Sequence, residues 1–176
     1  MSSVRFFNPA LTYKAHKKEF DSAYTRVMST GELVGPDRKD VLEFESNLAK
    51  FTGKKYAVGL NSGTDALYLS LKALGIKAGD EVVVSSHTFV ASPQVVHQLG
   101  AIPILVDLGE DWRAFITPKT KAVIPCHLAG EVLDWEPVDG IPMIDDSCQA
   151  LGASGLKGVI QCWSFYPAKI LGAFGD

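Results

Sequence analysis

Glu81-Val82-Val83-Val84-Ser85, residues 81–85, carries apolar side chains at consecutive positions instead of alternate ones. A strand of that kind is buried on both faces, as in a parallel sheet covered by helices. Reading outward, the same pattern recurs at residues 56–60 upstream, and at 102–107, 122–126, 142–146 and 159–165 downstream. Helical stretches separate the first of these runs. Residues 64–74 are closed by Gly75, and residues 91–99 form a second candidate. The alternation predicts an α/β fold: a three-layer, mostly parallel sheet with flanking helices. It thins downstream, where only about a dozen residues separate the fourth strand from the fifth, near the minimum for a crossover.

Upstream of residue 55 the pattern is helical. Residues 15–28 space Phe20, Tyr24 and Val27 four and three apart. Asp37, after Pro36, is a plausible N-cap for a helix whose apolar face is Val41, Leu42, Phe44, Leu48 and Phe51, with Gly53 at its end. Residues 29–36 form a glycine-punctuated loop between them. The expected organisation is a helical segment over 1–54 and an α/β core over 55–176, within a single domain.

Composition narrows the function classes. The chain has 176 residues, of which 47% are apolar and 21% charged, values of a folded chain with a core. A net charge of −3 and a pI near 5.8 give no basic field for nucleic acid. No apolar run is long enough for a membrane span, and the first residues lack a signal-peptide pattern, so a cytoplasmic protein is expected. Cys126, Cys148 and Cys162 match no metal-ligand spacing and read as buried free thiols. His16, His87, His97 and His127 form no ligand set either, and no metal is expected.

Four strand ends carry polar residues, and in open α/β sheets ligands sit beyond the carboxyl ends of strands. Asn61-Ser62-Gly63-Thr64-Asp65 opens a helix. It suits phosphate through free N–H groups, and it equally suits a plain N-cap. Phe89, in Ser86-His87-Thr88-Phe89, is either a ring-stacking residue or part of the core. Asp145-Asp146 places two carboxylates at a buried strand end, where something must pair with them. A protonated ring nitrogen, a metal or a helix start would each serve. Lys169 follows Ser164-Phe165-Tyr166-Pro167-Ala168. It is a surface lysine or, beside an anion site, a Schiff-base lysine.

In order, these pieces read Asn-Ser-Gly-Thr-Asp-Ala-Leu, Thr-Phe-Val-Ala, Asp-Asp-x-x-Gln-Ala-x-Gly-Ala and Ser-Phe-Tyr-Pro-x-Lys-x-Leu-Gly-Ala-Phe-Gly-Asp. Together they resemble the DegT/DnrJ/StrS-type aminotransferases, which use pyridoxal 5'-phosphate (PLP) and act mostly on nucleotide-linked keto-sugars. The resemblance runs from about residue 8 to 176. It implies a fold like the large domain of fold-type I PLP transferases, incomplete at its C-terminal end. It makes Lys169 the lysine that forms the internal aldimine and the base that moves the α-proton. Asp146 becomes the partner of the pyridine nitrogen, and Phe89 the residue stacked on the ring. Gly63, Thr64 and Ser164 become the phosphate cradle, with Asp65 contributing its backbone N–H, and Gln149 lies near the ring hydroxyl. The implied reaction moves an amino group from an amino acid such as glutamate to a nucleotide-linked keto-sugar. Relatives with His in place of the lysine act as dehydratases, and Lys169 argues against that branch.

The chain departs from the family pattern in several places. Family members are longer, and the resemblance implies that their second half, which supplies substrate contacts and a small C-terminal domain, has no counterpart within residues 1–176. The resemblance therefore implies a homodimer or a complementing C-terminal chain. The alternative is a non-catalytic PLP-binding or interaction protein of the same family. The crossovers at 107–115 and 130–140 are short, Ala129 replaces an aromatic in the His-Leu-x-Gly motif, and Ile170 stands where Asn is usual.

Overall fold

The computed structural model describes residues 7–31, 33 and 38–174. They form two compact units, Met1–Gly59 and Leu60–Asp176.

The described residues of the first unit form three helices: α1 (Pro9–Ala15), α2 (Lys17–Thr30) and α3 (Lys39–Thr52). The single helix expected over 15–28 is thus the second of two that meet at His16. Pro9 starts α1, where its missing N–H costs nothing. Gly31 and Gly53 end α2 and α3 in the left-handed conformation, with φ of 69° and 68°. Asp37, the expected cap of α3, lies outside the described residues. None of the described residues in these helices is fully buried, and Leu42, Phe44 and Phe51 of the expected apolar face are exposed. Residues 56–60, expected as a strand, carry no ladder. Tyr56 and Val58 are exposed, so burial does not hold that stretch in a sheet.

The second unit holds the sheet. Its strands are β1 (Glu81–Ser85), β2 (Ile102–Val106), β3 (Thr120–Ile124), β4 (Ile144–Asp146) and β5 (Ile160–Cys162). The order is β2-β1-β3 and β4-β5, all parallel. Two parallel bridges, Val123 to Met143 and Cys126 to Asp146, join β3 to β4. All five carboxyl ends therefore point the same way. The helices are α4 (Gly63–Ala73) and α5 (Ala91–Gln98).

Alternation along the strands divides the core in two. Val82, Val84, Ala122, Ile124 and Ile144 face α4 and α5, where they meet Leu67, Leu71, Val95 and Val96. Val83, Val106, Val123 and Met143 face the other way and meet Trp112 and Trp135. That second side is closed by the 3-10 turn Trp112–Phe115 and by the 130–140 connection, the two short crossovers. The indole rings stack with centroids 5.8 Å apart. At the edge, β2 leaves Ile102 and Leu105 exposed, so this apolar run is not buried on both faces.

Candidate functional site

Four of the carboxyl ends are laced together. Cys126 N donates to Ser85 Oγ (3.0 Å), joining β1 to β3. His127 N donates to Asp146 O (3.0 Å), and Ser147 N to Cys162 O (2.9 Å), so the ends of β3, β4 and β5 are stitched in sequence. This lacing fixes where the polar residues beyond each strand stand.

The start of α4 closes onto that row. Gly63 is buried, and a Cβ there would lie 2.7 Å from Cys148 Sγ and 3.0 Å from Ser164 Cβ. Only a glycine permits this approach. Ser62 is the N-cap, and its Oγ accepts from Asp65 N at 3.1 Å. The capping function of this motif is thus present. The amides of Gly63 and Thr64 are the unbonded ones of the first turn, with the positive end of the helix dipole behind them. Ser164 is half-buried beside Gly63, and its Oγ accepts from Tyr166 N at 3.3 Å.

Phe89 lies just past β1 and is 64% exposed, so it is not a core residue. Its ring is available to stack on something flat.

Asp145 and Asp146 do not converge, because successive strand residues point to opposite faces. Asp145 points to the turn-covered side. Its Oδ2 accepts from Gly158 N at 2.8 Å, and its Oδ1 stands 3.2 Å from His127 Nε2, out of line for a good hydrogen bond. His127 Nδ1 accepts from Leu133 N at 3.1 Å, which assigns the ring proton to Nε2, facing Asp145. Asp146 points to the helix side. Its Oδ2 accepts from Ser92 Oγ at 2.6 Å and its Oδ1 from Cys148 N at 3.3 Å. It is 4% exposed, and no described Lys, Arg or His forms an ion pair with it. Among the described residues no group of three or more His, Cys, Asp or Glu converges as a metal site.

Gln149 Oε1 accepts from Ala129 N at 3.1 Å. Ala129 has φ 53° and ψ 18°, the left-handed region, and is the single non-glycine residue there among the described residues. A non-glycine residue in that region carries a strain of about 1–2 kcal/mol.

Lys169 is half-buried in a loop folded on itself. Its N–H donates to Tyr166 O (2.8 Å), and Ala173 N donates to Phe165 O (2.7 Å). Gly172 makes the return with φ 59°, where a Cβ would strike Pro167 O at 2.6 Å. The lysine ammonium is close enough to act on Cys148. Burial pushes that thiol up, Asp146 pushes it further, and Lys169 pulls it back. Burial likewise raises the Cys126 thiol to about 12, helped by Asp146, and the Cys162 thiol to about 12. All three cysteines are free.

The second unit thus brings together Gly63, Thr64, Asp65, Asp146, Ser164 and Lys169 at one end of the sheet, with Phe89 and Gln149 on neighbouring loops. Ser92 and the Asp145–His127 pair were not marked by the sequence. A hydroxyl one turn after Thr88 was the faint signal for Ser92.

A parallel sheet with these groups at its carboxyl edge defines the large domain of a fold-type I PLP transferase. A solved structure of NtdA from Bacillus subtilis with bound cofactor PMP superposes with a TM-score of 0.85 at 29% identity, covering 99% of this chain and 44% of that one. The chain belongs to the DegT/DnrJ/EryC1/StrS aminotransferase family, whose model matches residues 14–176. It is 38% identical over 194 residues to a dTDP-3-amino-3,4,6-trideoxy-alpha-D-glucose transaminase of Streptomyces venezuelae, covering 98% of this chain and 50% of the relative. It is also 38% identical over 182 residues to a UDP-2-acetamido-2-deoxy-3-oxo-D-glucuronate aminotransferase of Pseudomonas aeruginosa, covering 91% and 50%. The chain spans about half the length of the curated relatives it matches.

Proposed function

We propose that this chain is the cofactor-binding part of a PLP-dependent aminotransferase that moves an amino group from an amino acid such as glutamate to a nucleotide-linked keto-sugar. The observation that carries the reading is Asp146: a buried carboxylate without a cationic partner among the described residues, beside an exposed aromatic ring and a helix start. Burying such a charge alone is costly, so the site is built for a cation that arrives with the ligand. A protonated pyridine supplies that cation, Phe89 offers it a stacking face, and the amides of Gly63 and Thr64 with the Ser164 hydroxyl suit its phosphate. The donor set therefore fits PLP. The nucleotide sugar is supported by the dTDP- and UDP-sugar relatives.

Each residue has a task in this reading. Asp146 keeps the ring nitrogen protonated. Lys169 holds the cofactor through Nζ and, as the free amine, takes and returns a proton at that atom. Gln149 stands near the ring hydroxyl. When bound, PLP supplies the electron-withdrawing ring on which amino-group transfer depends. A homodimer or a complementing chain, and a cytoplasmic setting, belong to the same proposal; the free thiols support the latter. Among the described residues no helix is long and apolar enough to cross a membrane.

The test is spectroscopic. PLP is added to the protein and to Lys169→Ala, the visible band is recorded, and the adduct is reduced with borohydride and located by peptide mass. A band and a label on Lys169 in the wild type alone are expected. Identical spectra for the two proteins would sink the assignment. Glutamate added to the loaded wild type should bleach the band, and a persistent band would favour a binding protein without turnover.

A further inference from the structure

Ser92 is fully buried at the start of α5, and its Oγ lies 2.6 Å from Asp146 Oδ2. The same oxygen lies 2.9 Å from Thr88 Oγ1, four residues earlier. Proton counting orders the chain. A carboxylate accepts only, so the one Ser92 proton goes to Asp146. The contact between the two hydroxyls must then be a donation from Thr88 to Ser92. The same Thr88 hydroxyl also donates to Phe89 O at the longer distance of 3.2 Å, so its one proton is shared with Ser92 as the nearer acceptor. Donation therefore runs from Thr88 to Ser92 to Asp146.

Ser92 Oγ lies 2.6 Å from Asp146 Oδ2 and the Cys148 amide 3.3 Å from the other oxygen, and the Cys126 and Cys148 thiols also hydrogen-bond this carboxylate. Burial keeps the Cys126 and Cys148 thiols protonated, so beside Asp146 they are weak neutral donors and add no second negative charge. The Lys169 ammonium acts on the same neighbourhood through Cys148. Ser92 thus holds Asp146 Oδ2 from the helix side. The hydroxyl behind it belongs to Thr88, the residue next to Phe89, so a single turn of chain governs both the ring-stacking residue and the ring-nitrogen acid.

We propose that Ser92, backed by Thr88, is a positioning residue that orients Asp146 toward the ring nitrogen of PLP. The inference rests on the cofactor reading above, and it assigns to that site two hydroxyls that do not touch the cofactor themselves.

A comparison of two ligands tests it. PLP and its 1-deaza analogue, in which C–H replaces the ring nitrogen, are titrated by absorbance into the whole chain, into Ser92→Ala and into Thr88→Val. Circular dichroism checks that each variant folds. Ser92→Ala is expected to weaken PLP about tenfold, the scale of one hydrogen bond to a charged group. Thr88→Val, one step removed, is expected to weaken it about threefold. The analogue, with no nitrogen for Asp146 to hold, should bind all three proteins within about twofold. Equal weakening of both ligands would make Ser92 a packing residue and overturn the proposal. Unchanged PLP affinity in Ser92→Ala would overturn it as well. If wild type binds no PLP, the cofactor reading itself falls and takes the inference with it. Should Ser92→Ala not fold, the half-buried Thr88→Val carries the same two-ligand comparison.

Discussion

The two faces of the sheet are closed by different means. On one, α4 and α5 lay aliphatic side chains over Val82, Val84, Ile124 and Ile144. On the other, two short connections bring a Trp112–Trp135 stack over Val83, Val123 and Met143. A stacked indole pair covers a large apolar area with few residues, which lets a 3-10 turn stand where a helical crossover is expected. The site lies on the helix side. Gly63 begins α4, Ser92 lies in the first turn of α5, and Asp146 shares its face with Ile144. Asp145, one residue away, faces the other side and is occupied by Gly158 and His127. The helix face thus carries Gly63, Ser92 and Asp146 of the proposed site as well as core, while the turn-covered face carries the Trp112–Trp135 stack. For that reason the crossovers on the second face can be short without disturbing the groups at the site.

The difference can be broken most severely at Trp112. Trp112→Ala should cost about 3–5 kcal/mol of stability by denaturant titration. PLP affinity of the folded fraction should stay as in the wild type; a parallel loss of affinity would abolish the division between the faces. On the helix side Leu67, one turn into α4, gives the contrasting result. Leu67→Ala should cost about 2–4 kcal/mol and also weaken PLP, because the start of α4 shifts. Gly63→Ala comes next. Its methyl meets Cys148 and Ser164, so about 1–3 kcal/mol of overpacking is expected, together with a loss of PLP affinity larger than that of Leu67→Ala.

A more gradual effect follows from the thiols. Burial holds Cys126 and Cys162 at about 12 against an ordinary 9.0. Their contribution is complete below the unfolded value and is lost as pH rises through the folded one, because the unfolded chain releases these protons first. The urea midpoint should therefore decline above pH 9, and decline less in Cys162→Ala. The smallest effect is expected at Ala129. Ala129→Gly relieves a left-handed alanine and should raise stability by about 1 kcal/mol, read from the melting temperature. No gain would mean that the added freedom of glycine in the unfolded chain offsets the relieved strain.

Much of the fold was legible because its signals are local. Glu81–Ser85 is the strand that its consecutive valines predict, and α3 ends at Gly53, where the chain needs a left-handed residue. The failures have a common cause. Residues 56–60 have strand composition, but a strand exists only with a partner to bond it. The run at 102–107 looks like an interior strand, yet β2 lies at the sheet edge with part of its apolar surface bare. At the site, residue types were legible and pairings were not. Asp145 and Asp146 are alike in sequence, and only the pleat sends them to opposite sides.

The sequence by itself determined the succession of strands and helices, the glycines at tight approaches, and the order of motifs that marks the family. Those depend on side-chain type and short spacing. The tertiary structure alone decided which groups meet. It set Ser92 against Asp146 across 54 positions of chain, left Phe89 exposed, and stacked two tryptophans from separate connections. Such contacts come from sheet order and the alternation of faces, which fix long-range neighbours that no local pattern encodes.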